Sequence, residues 1–239
     1  MRMHTIPIAD KGQTKLIAHR GVSGLECENT AAAFVAAGNR SYFGIETDIW
    51  RTADGQFLCN HDGRTGRICA TDCGIEQTPL AALRALVLND LGGTPRADLR
   101  LTTPQEYRSI CRKYGKRCVP ELKSDFTADE IRQILDIFAD CLDDTCFIAF
   151  NKANLDLVKQ LRPAQDCQFL TGKWSDALPA QLAACGMGLD IYYRELTADR
   201  IRACHAHGVR VNCWTVDDPA DAQQLIAWGI DEITSNILE

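Results

Sequence analysis

The sequence predicts an α/β fold: a (β/α)8 TIM barrel with a small insertion after the second strand. Three observations carry this. Eight short apolar, strand-like runs alternate with helix-like stretches along the chain, a pattern that gives a parallel sheet, and eight such units most simply close into a barrel. From residue 146 onward the runs recur at about 20 to 22 residues, the length of one βα unit. The chain has 239 residues and is 46% hydrophobic, enough to fill one barrel core. An open, doubly wound sheet is the alternative arrangement. Residues 1–239 are read as a single domain, with the insertion at about 62–102.

Taken in order, residues 1–13 read as a loose lead-in. A first strand covers 15–19. Glu28-Asn29-Thr30 opens a helix over 30–38, with acidic and polar groups where a helix N-terminus favours them. A second strand covers 44–50. Thr52-Ala53-Asp54-Gly55 signals a tight turn, and a short return strand over 56–60 delivers His61. From 62 to 102 the pattern is irregular, rich in glycine, with one helix candidate near 79–88; it is too long for an ordinary connection. Helix 103–114 then precedes strand 117–122. Helix 127–142 carries Ile131, Ile134, Leu135, Phe138 and Leu142 on one face. Strands follow near 146–150, 167–171, 187–192, 209–215 and 231–234, with helices near 152–161, 175–185, 197–207 and 218–228. Few residues follow the last strand, so its helix is short or absent.

Composition narrows the function classes. Net charge is −6, from 26 basic and 32 acidic residues. Such a chain gets no general electrostatic pull toward nucleic acid or an anionic membrane. No run approaches the roughly 18 to 20 apolar residues of a membrane span, and the N-terminus lacks the apolar core of a signal peptide. The twelve cysteines are scattered without a CxxC pair, which argues against zinc. Cys59, Cys118, Cys146 and Cys213 fall in strand-like runs, so they read as buried free thiols of a cytoplasmic protein.

The chemistry gathers at the C-terminal ends of the strands, where barrel enzymes carry their active residues. His19 and Arg20 end the first strand. Glu46 and Asp48, two apart on the second, point to one side. Two carboxylates about 4 Å apart repel by about 4 kcal/mol at an effective dielectric near 20, so a positive partner is required: a metal, or Arg20. Glu121 and Lys123 share a face on the next strand, as site residues or as a structural ion pair. Three carboxylates from neighbouring strands make a hard oxygen site, better suited to calcium, magnesium or manganese than to zinc. Arg20 and Lys123 are then available for an anionic group, Arg as a fork and Lys as a point charge. His19 and His61 suit an acid/base pair. Together the set suits hydrolysis at phosphorus. Trp214 is either core or substrate wall. Phe150 and Tyr193 either line the pocket or pack. Asp217 and Asp218 read as caps for the following helix, and His4, His205 and His207 as surface or packing residues.

These residues resemble the glycerophosphodiester phosphodiesterase family. Its pattern is met by His19-Arg20-Gly21, Glu28-Asn29-Thr30, Glu46-Thr47-Asp48, Thr52-Ala53-Asp54-Gly55, His61-Asp62, Glu121-Leu122-Lys123 and Val211-Asn212-Cys213-Trp214-Thr215-Val216, over about residues 15–236. The resemblance implies the barrel and its insertion. It implies a divalent metal on Glu46, Asp48 and Glu121, acid/base work by His19 and His61, and Arg20 and Lys123 on the phosphate. Trp214, Phe150 and Asn29 join the substrate-binding set, with Asn29 supporting the site by hydrogen bonds. The implied reaction cleaves a small glycerophosphodiester to glycerol 3-phosphate and an alcohol, through attack by the glycerol 2-hydroxyl and a cyclic phosphate. Cys27 departs from the family's proline before Glu-Asn-Thr, Thr234-Ser235-Asn236 from its Thr-Asp-x-Pro, and Ala149-Phe150 from its Ser-Phe. Two other readings use the same barrel: a lysophospholipid or phosphoinositide phosphodiesterase, needing an apolar pocket mouth, for which the insertion offers Leu83, Leu86, Val87 and Leu88; and a catalytically silent binding module.

Overall fold

In the computed structural model, which describes residues 4–239, the apolar runs become strands with alternate side chains facing opposite ways. The order is β1 (Lys15–Ala18), α1 (Ala31–Gly38), β2 (Gly44–Arg51), β3 (Phe57–Cys59), α2 (Leu80–Arg84), α3 (Pro104–Lys113), β4 (Arg117–Leu122), α4 (Ala128–Ile137), β5 (Cys146–Ala149), α5 (Lys152–Leu161), β6 (Asp166–Thr171), α6 (Leu178–Cys185), β7 (Gly188–Tyr192), α7 (Ala198–Ala206), β8 (Val211–Trp214), α8 (Pro219–Ala227) and β9 (Glu232–Ser235). Around the sheet the strands run β1, β9, β8, β7, β6, β5, β4, β2, and β1 pairs again with β2. That closes a ring of eight parallel strands with helices between them, a TIM barrel. β3 stands outside the ring, antiparallel to the end of β2 through Ile49↔Cys59 and Arg51↔Phe57.

One side-chain set fills the barrel: Ile17, Val119, Cys146, Ile148 and Leu170, with Trp214 packed on it. A larger set lies between strands and helices. Within it Phe34, Tyr107, Phe138 and Phe147 stack edge to face at centroid separations of 5.0, 6.3 and 5.7 Å, a geometry worth about 1 kcal/mol per pair beyond burial. Tyr107 reaches from α3 into the sheet. Its hydroxyl donates to the Ile45 carbonyl at 2.5 Å and accepts from the Val119 amide at 2.8 Å. It therefore ties β2 to β4, the strands that carry all three candidate metal ligands.

Several boundaries move. α3 and α4 start where Thr103/Glu106 and Thr127/Glu130 form reciprocal capping boxes. The helix expected over 127–142 stops at Ile137, and the chain turns through a short 3-10 segment, Leu142–Asp144. Asp143 and Asp144 there would oppose the negative end of a longer helix dipole. The helix expected near 79–88 covers only Leu80–Arg84, because Leu88 leaves it to pair with residues 96 and 99. The lead-in is not loose where it is described: Ile6 exchanges backbone hydrogen bonds with Ile237 and Glu239, and Ile8 is buried. Residues 1–3 of that lead-in lie outside the described residues.

Residues 62–102 carry an apolar cluster of their own. Ile68, Cys69, Ile75, Leu83, Leu88, Leu99 and Leu101 pack with Leu58 and Cys27. All twelve cysteines are free thiols, nine of them buried. No helix among the described residues is long and apolar enough to cross a membrane.

Candidate active site

The register of β2 against β4 builds the acidic centre. Glu46 lies opposite Val119 and Asp48 opposite Glu121, so three carboxylates face inward from two adjacent strands. One oxygen from each of Glu46, Asp48 and Glu121 lies within 4.8 Å of the others, and all three residues are buried. Lys123 Nζ sits 2.9 Å from Glu121 Oε1 and 3.5 Å from Asp48 Oδ1. The Arg20 amide donates to Glu46 Oε2 at 2.8 Å, and Arg20 Nε lies 3.6 Å from Asp48 Oδ2.

Those cations do not balance the cluster. Burial and the Asp48 charge push Glu46 well above the ordinary carboxylate range, and the same two causes push Glu121 up to about 7. Burial also raises Asp48, but Lys123, Arg20 and His61 outweigh it and hold that carboxyl below its usual value. Asp48 Oδ1 is buried without a hydrogen-bond partner. An all-oxygen set with an orphaned oxygen and a surplus of negative charge fits a hard divalent cation.

The backbone around these groups is unusual. Arg20 and Asn29 have positive φ, 54° and 56°, an uncommon conformation for residues with side chains and one that clusters at functional sites. Gly21, at φ 77°, packs so tightly on α1 that a Cβ would lie 2.6 Å from the Ala33 carbonyl carbon; no other residue fits this corner. Asn29 sits behind Asp48 rather than on the cavity wall. Its amide donates to Asp48 Oδ2 at 2.8 Å and accepts from the Thr47 hydroxyl at 2.7 Å. It supports Asp48 and does not border the cavity itself.

The two histidines flank the centre with different partners. His19 Nε2 lies 3.9 Å from Glu46 Oε2, and Nδ1 lies 2.7 Å from Asn236 Oδ1. The Asn236 amide nitrogen donates to Asp217 Oδ2 at 2.6 Å, so its oxygen is the atom turned to His19. Asp217 also accepts from the Ser235 hydroxyl and the Asn236 amide N–H. Only Asp218 caps α8; the expected capping role of Asp217 is corrected. His61 Nδ1 lies 2.7 Å from Asp62 Oδ1. Arg67 joins Asp62 to Glu28, and Glu28 in turn holds Arg20 at 3.0 Å. Burial, then the Arg20 charge, bring His19 down to about 4; burial also lowers His61.

A cavity of about 290 Å³ opens on this centre, bordered by His19, Glu46, His61 and Glu121 on one side and by Ile148, Phe150, Leu170, Asp190 and Trp214 on the other. Phe150 and Trp214 meet edge to face at 5.6 Å. Tyr193 is not on this wall; its hydroxyl bonds Asp221 at 3.0 Å. A larger groove of about 500 Å³, near Lys11, Arg117 and Asp231, touches none of the candidate residues. The sequence reading passed over Arg67, Asp190 and the link from Asp217 to His19. Asn236 carried one signal, the departure from Thr-Asp-x-Pro.

Residues 19–238 match the model of the glycerophosphoryl diester phosphodiesterase family. The chain belongs to that family. Among curated glycerophosphodiester phosphodiesterases, one from Caldanaerobacter subterraneus subsp. tengcongensis is 27% identical over 233 residues, covering 94% of each chain. One from Bacillus subtilis is 23% identical over 241 residues, covering 92% of this chain and 82% of the other. Of solved phosphodiesterases, one from Oleispira antarctica, in complex with the product sn-glycerol-3-phosphate, superposes with a TM-score of 0.85 at 25% identity, covering 94% and 93% of the two chains. A glycerophosphodiester phosphodiesterase from Parabacteroides distasonis gives 0.79 at 28% identity, covering 95% and 94%. The family assignment makes this chain a phosphodiesterase, and the barrel class shown by the strand ring is the one these structures share.

Proposed function

We propose that this protein hydrolyses a small glycerophosphodiester to glycerol 3-phosphate and an alcohol, with His19 as general base and His61 as general acid. The observation that carries the reading is the meeting of both histidines with Glu46 and Glu121 of the acidic triad on one small cavity, Asp48 completing the triad behind them. Family membership and the relatives' names support the substrate class. Glu46, Asp48 and Glu121 would hold calcium or magnesium, with manganese also suited to the donor set. When bound, the metal supplies positive charge against the phosphoryl oxygens.

The chain's own groups divide the remaining work. Asn236 Oδ1 accepts from His19 Nδ1–H, which leaves the Nε2 lone pair toward the cavity to take the proton of the glycerol 2-hydroxyl. Burial lowers His61, and Asp62 beside Nδ1 offsets part of that by favouring the imidazolium, whose Nε2–H can pass to the leaving alcohol oxygen. That step forms the oxygen–phosphorus bond of a cyclic phosphate and breaks the bond to the alcohol. Water then opens the ring, with the two imidazoles exchanging roles. Arg20, whose buried Nε has no partner, and Lys123 hold the phosphate oxygens. Trp214 and Phe150 form an apolar wall of the cavity against the substrate's carbon-bound hydrogens. Of the insertion's apolar residues Leu83 and Leu88 are buried and Leu86 is half-buried, leaving Val87 exposed, a small apolar surface that favours a dispersed small diester over a membrane lipid. The free thiols favour a reducing compartment such as the cytoplasm.

The test is release of glycerol 3-phosphate from a panel of headgroup diesters, with and without chelator, by wild type and His19→Ala. Activity that needs both metal and His19 is the expected result. No product from any diester overturns the reading.

A further inference from the structure

The mechanism above leaves a buried carboxyl on the cavity itself without work. Asp190 is only 1% exposed, and it borders the same cavity as the histidines, Glu46 and Glu121. Its Oδ1 has no hydrogen-bond partner. Trp214 Nε1, on the neighbouring strand and lining the same cavity, is also buried and unpartnered. Buried polar groups are nearly always satisfied, and an orphan costs stability unless something arrives to pair with it. Two orphans on one cavity wall, an acceptor and a donor, describe a place for a hydroxyl.

Their position fixes which hydroxyl. In the ring of strands β7 stands directly across from β2, and β8 across from β4. Asp190 and Trp214 therefore face the strands that carry Glu46, Asp48 and Glu121. Between the two walls lie Ile148 and Leu170, apolar surface suited to carbon-bound hydrogens. A glycerol unit whose phosphate and 2-hydroxyl are engaged on the acidic side has one polar group left, the terminal primary hydroxyl, and it points across the barrel.

We propose that Asp190 is a specificity-determining residue whose carboxyl hydrogen-bonds the terminal primary hydroxyl of the substrate's glycerol unit, with Trp214 Nε1 bracketing the same group. The inference rests on the proposed glycerophosphodiester reading and deepens it. Burial, together with the Glu232 and Glu121 charges, pushes the Asp190 carboxyl well up against a lowering hydrogen bond from Asn212. A site built to pair with a hydroxyl rejects the analogue that lacks it far more strongly than an apolar pocket does.

The experiment compares two diesters of the same alcohol: the glycerol diester, and the 2-hydroxypropyl diester, which keeps the attacking hydroxyl and lacks only the terminal one. Wild type is expected to favour the glycerol diester by about 100-fold or more in kcat/KM. In Asp190→Val that preference is expected to fall to about 3-fold or less, the loss falling on the glycerol diester, while the melting temperature rises because an unsatisfied buried carboxyl is gone. Asp190→Asn, which keeps an acceptor, should retain part of the preference. An unchanged preference in Asp190→Val, or an equal loss on both diesters, overturns the inference and leaves the proposed activity standing. Failure of wild type to cleave either diester overturns the proposed activity and this inference with it.

Discussion

His19 and His61 are the same side chain in two different surroundings. His19 belongs to the barrel rim: its side chain is 16% exposed, and its partner is the neutral amide of Asn236. His61 stands at the foot of the insertion: its side chain is 34% exposed, and its partner is the Asp62 carboxylate. A neutral acceptor fixes a tautomer without favouring a charge, whereas a carboxylate at 2.7 Å favours the charged ring. On the proposed mechanism the His19 ring takes the proton and the His61 ring gives it, with Asp62 offsetting part of the burial that lowers His61.

The strongest way to break this comparison is to remove what both histidines serve. Chelation, or Glu121→Gln, is expected to lower turnover by about 1,000-fold or more, the scale of several kcal/mol of lost charge stabilisation. The check is product release before and after adding back calcium, magnesium or manganese, and full turnover in chelator would sink the metal reading.

Next come the histidines. His19→Ala and His61→Ala should each lose about 100- to 10,000-fold, the range of general acid/base catalysis. A diester with a nitrophenol leaving group separates them, because such a group departs without a proton. On that substrate His61→Ala should recover most of its loss and His19→Ala little. Equal recovery by both variants would reverse or erase the assignment.

Smaller effects belong to the supports. Asn236→Leu frees the His19 ring, and Asp62→Asn removes the charge behind His61. Each is expected to lower kcat by about 10- to 100-fold, the usual cost of losing a group that orients another. KM should move little; a change confined to KM would mean that these residues hold substrate instead.

The smallest effect concerns how the insertion is attached. Burial raises the Glu28 carboxyl, but the Arg67 hydrogen bonds and the Arg20 charge outweigh it, and it lies below the ordinary value. A carboxyl depressed in the folded state stabilises the fold above the unfolded pKa, and that contribution is lost as pH falls through the lowered folded value. Melting curves of wild type and Glu28→Gln should therefore differ most above the ordinary glutamate range and converge as pH falls below it. A constant gap across that range would show that the ion pairs add nothing. Arg67→Met should cost only a few-fold in turnover, because Asp62 still reaches His61.

Much of this was readable from the chain. The alternation of apolar runs gave the barrel, since each strand is local and its period is two. The triad and both histidines were readable because each stands at the end of such a run, beside residues that share its face. Supports were harder. Asp217 looks like a cap because a helix begins at Pro219, yet its carboxylate turns to Ser235 at the end of β9 and to Asn236 just beyond it. Arg67 lies in an irregular segment, where no periodicity says which way a side chain points. Asp190 sits in an apolar run, and nothing local distinguishes an acid facing a cavity from one facing a helix. The overlong helix ending near 142 fails for a related reason: Phe138 and Leu142 keep the helical period after the backbone has turned.

The pairing of β2 with β4 has a consequence for how the protein assembles. Asp48 and Glu121 become neighbours only when Asp48↔Glu121 register is reached, and the whole insertion lies in the intervening loop. Nothing in the unfolded chain resembles the acidic centre, so affinity for a cation develops only with closure of that loop. As the two strands approach, Glu121 is brought onto Glu46 and Asp48, and their repulsion opposes the very strand pairing that creates the site. A divalent ion present during refolding would relieve that opposition, and its uptake would mark the moment at which the ring closes between these two strands.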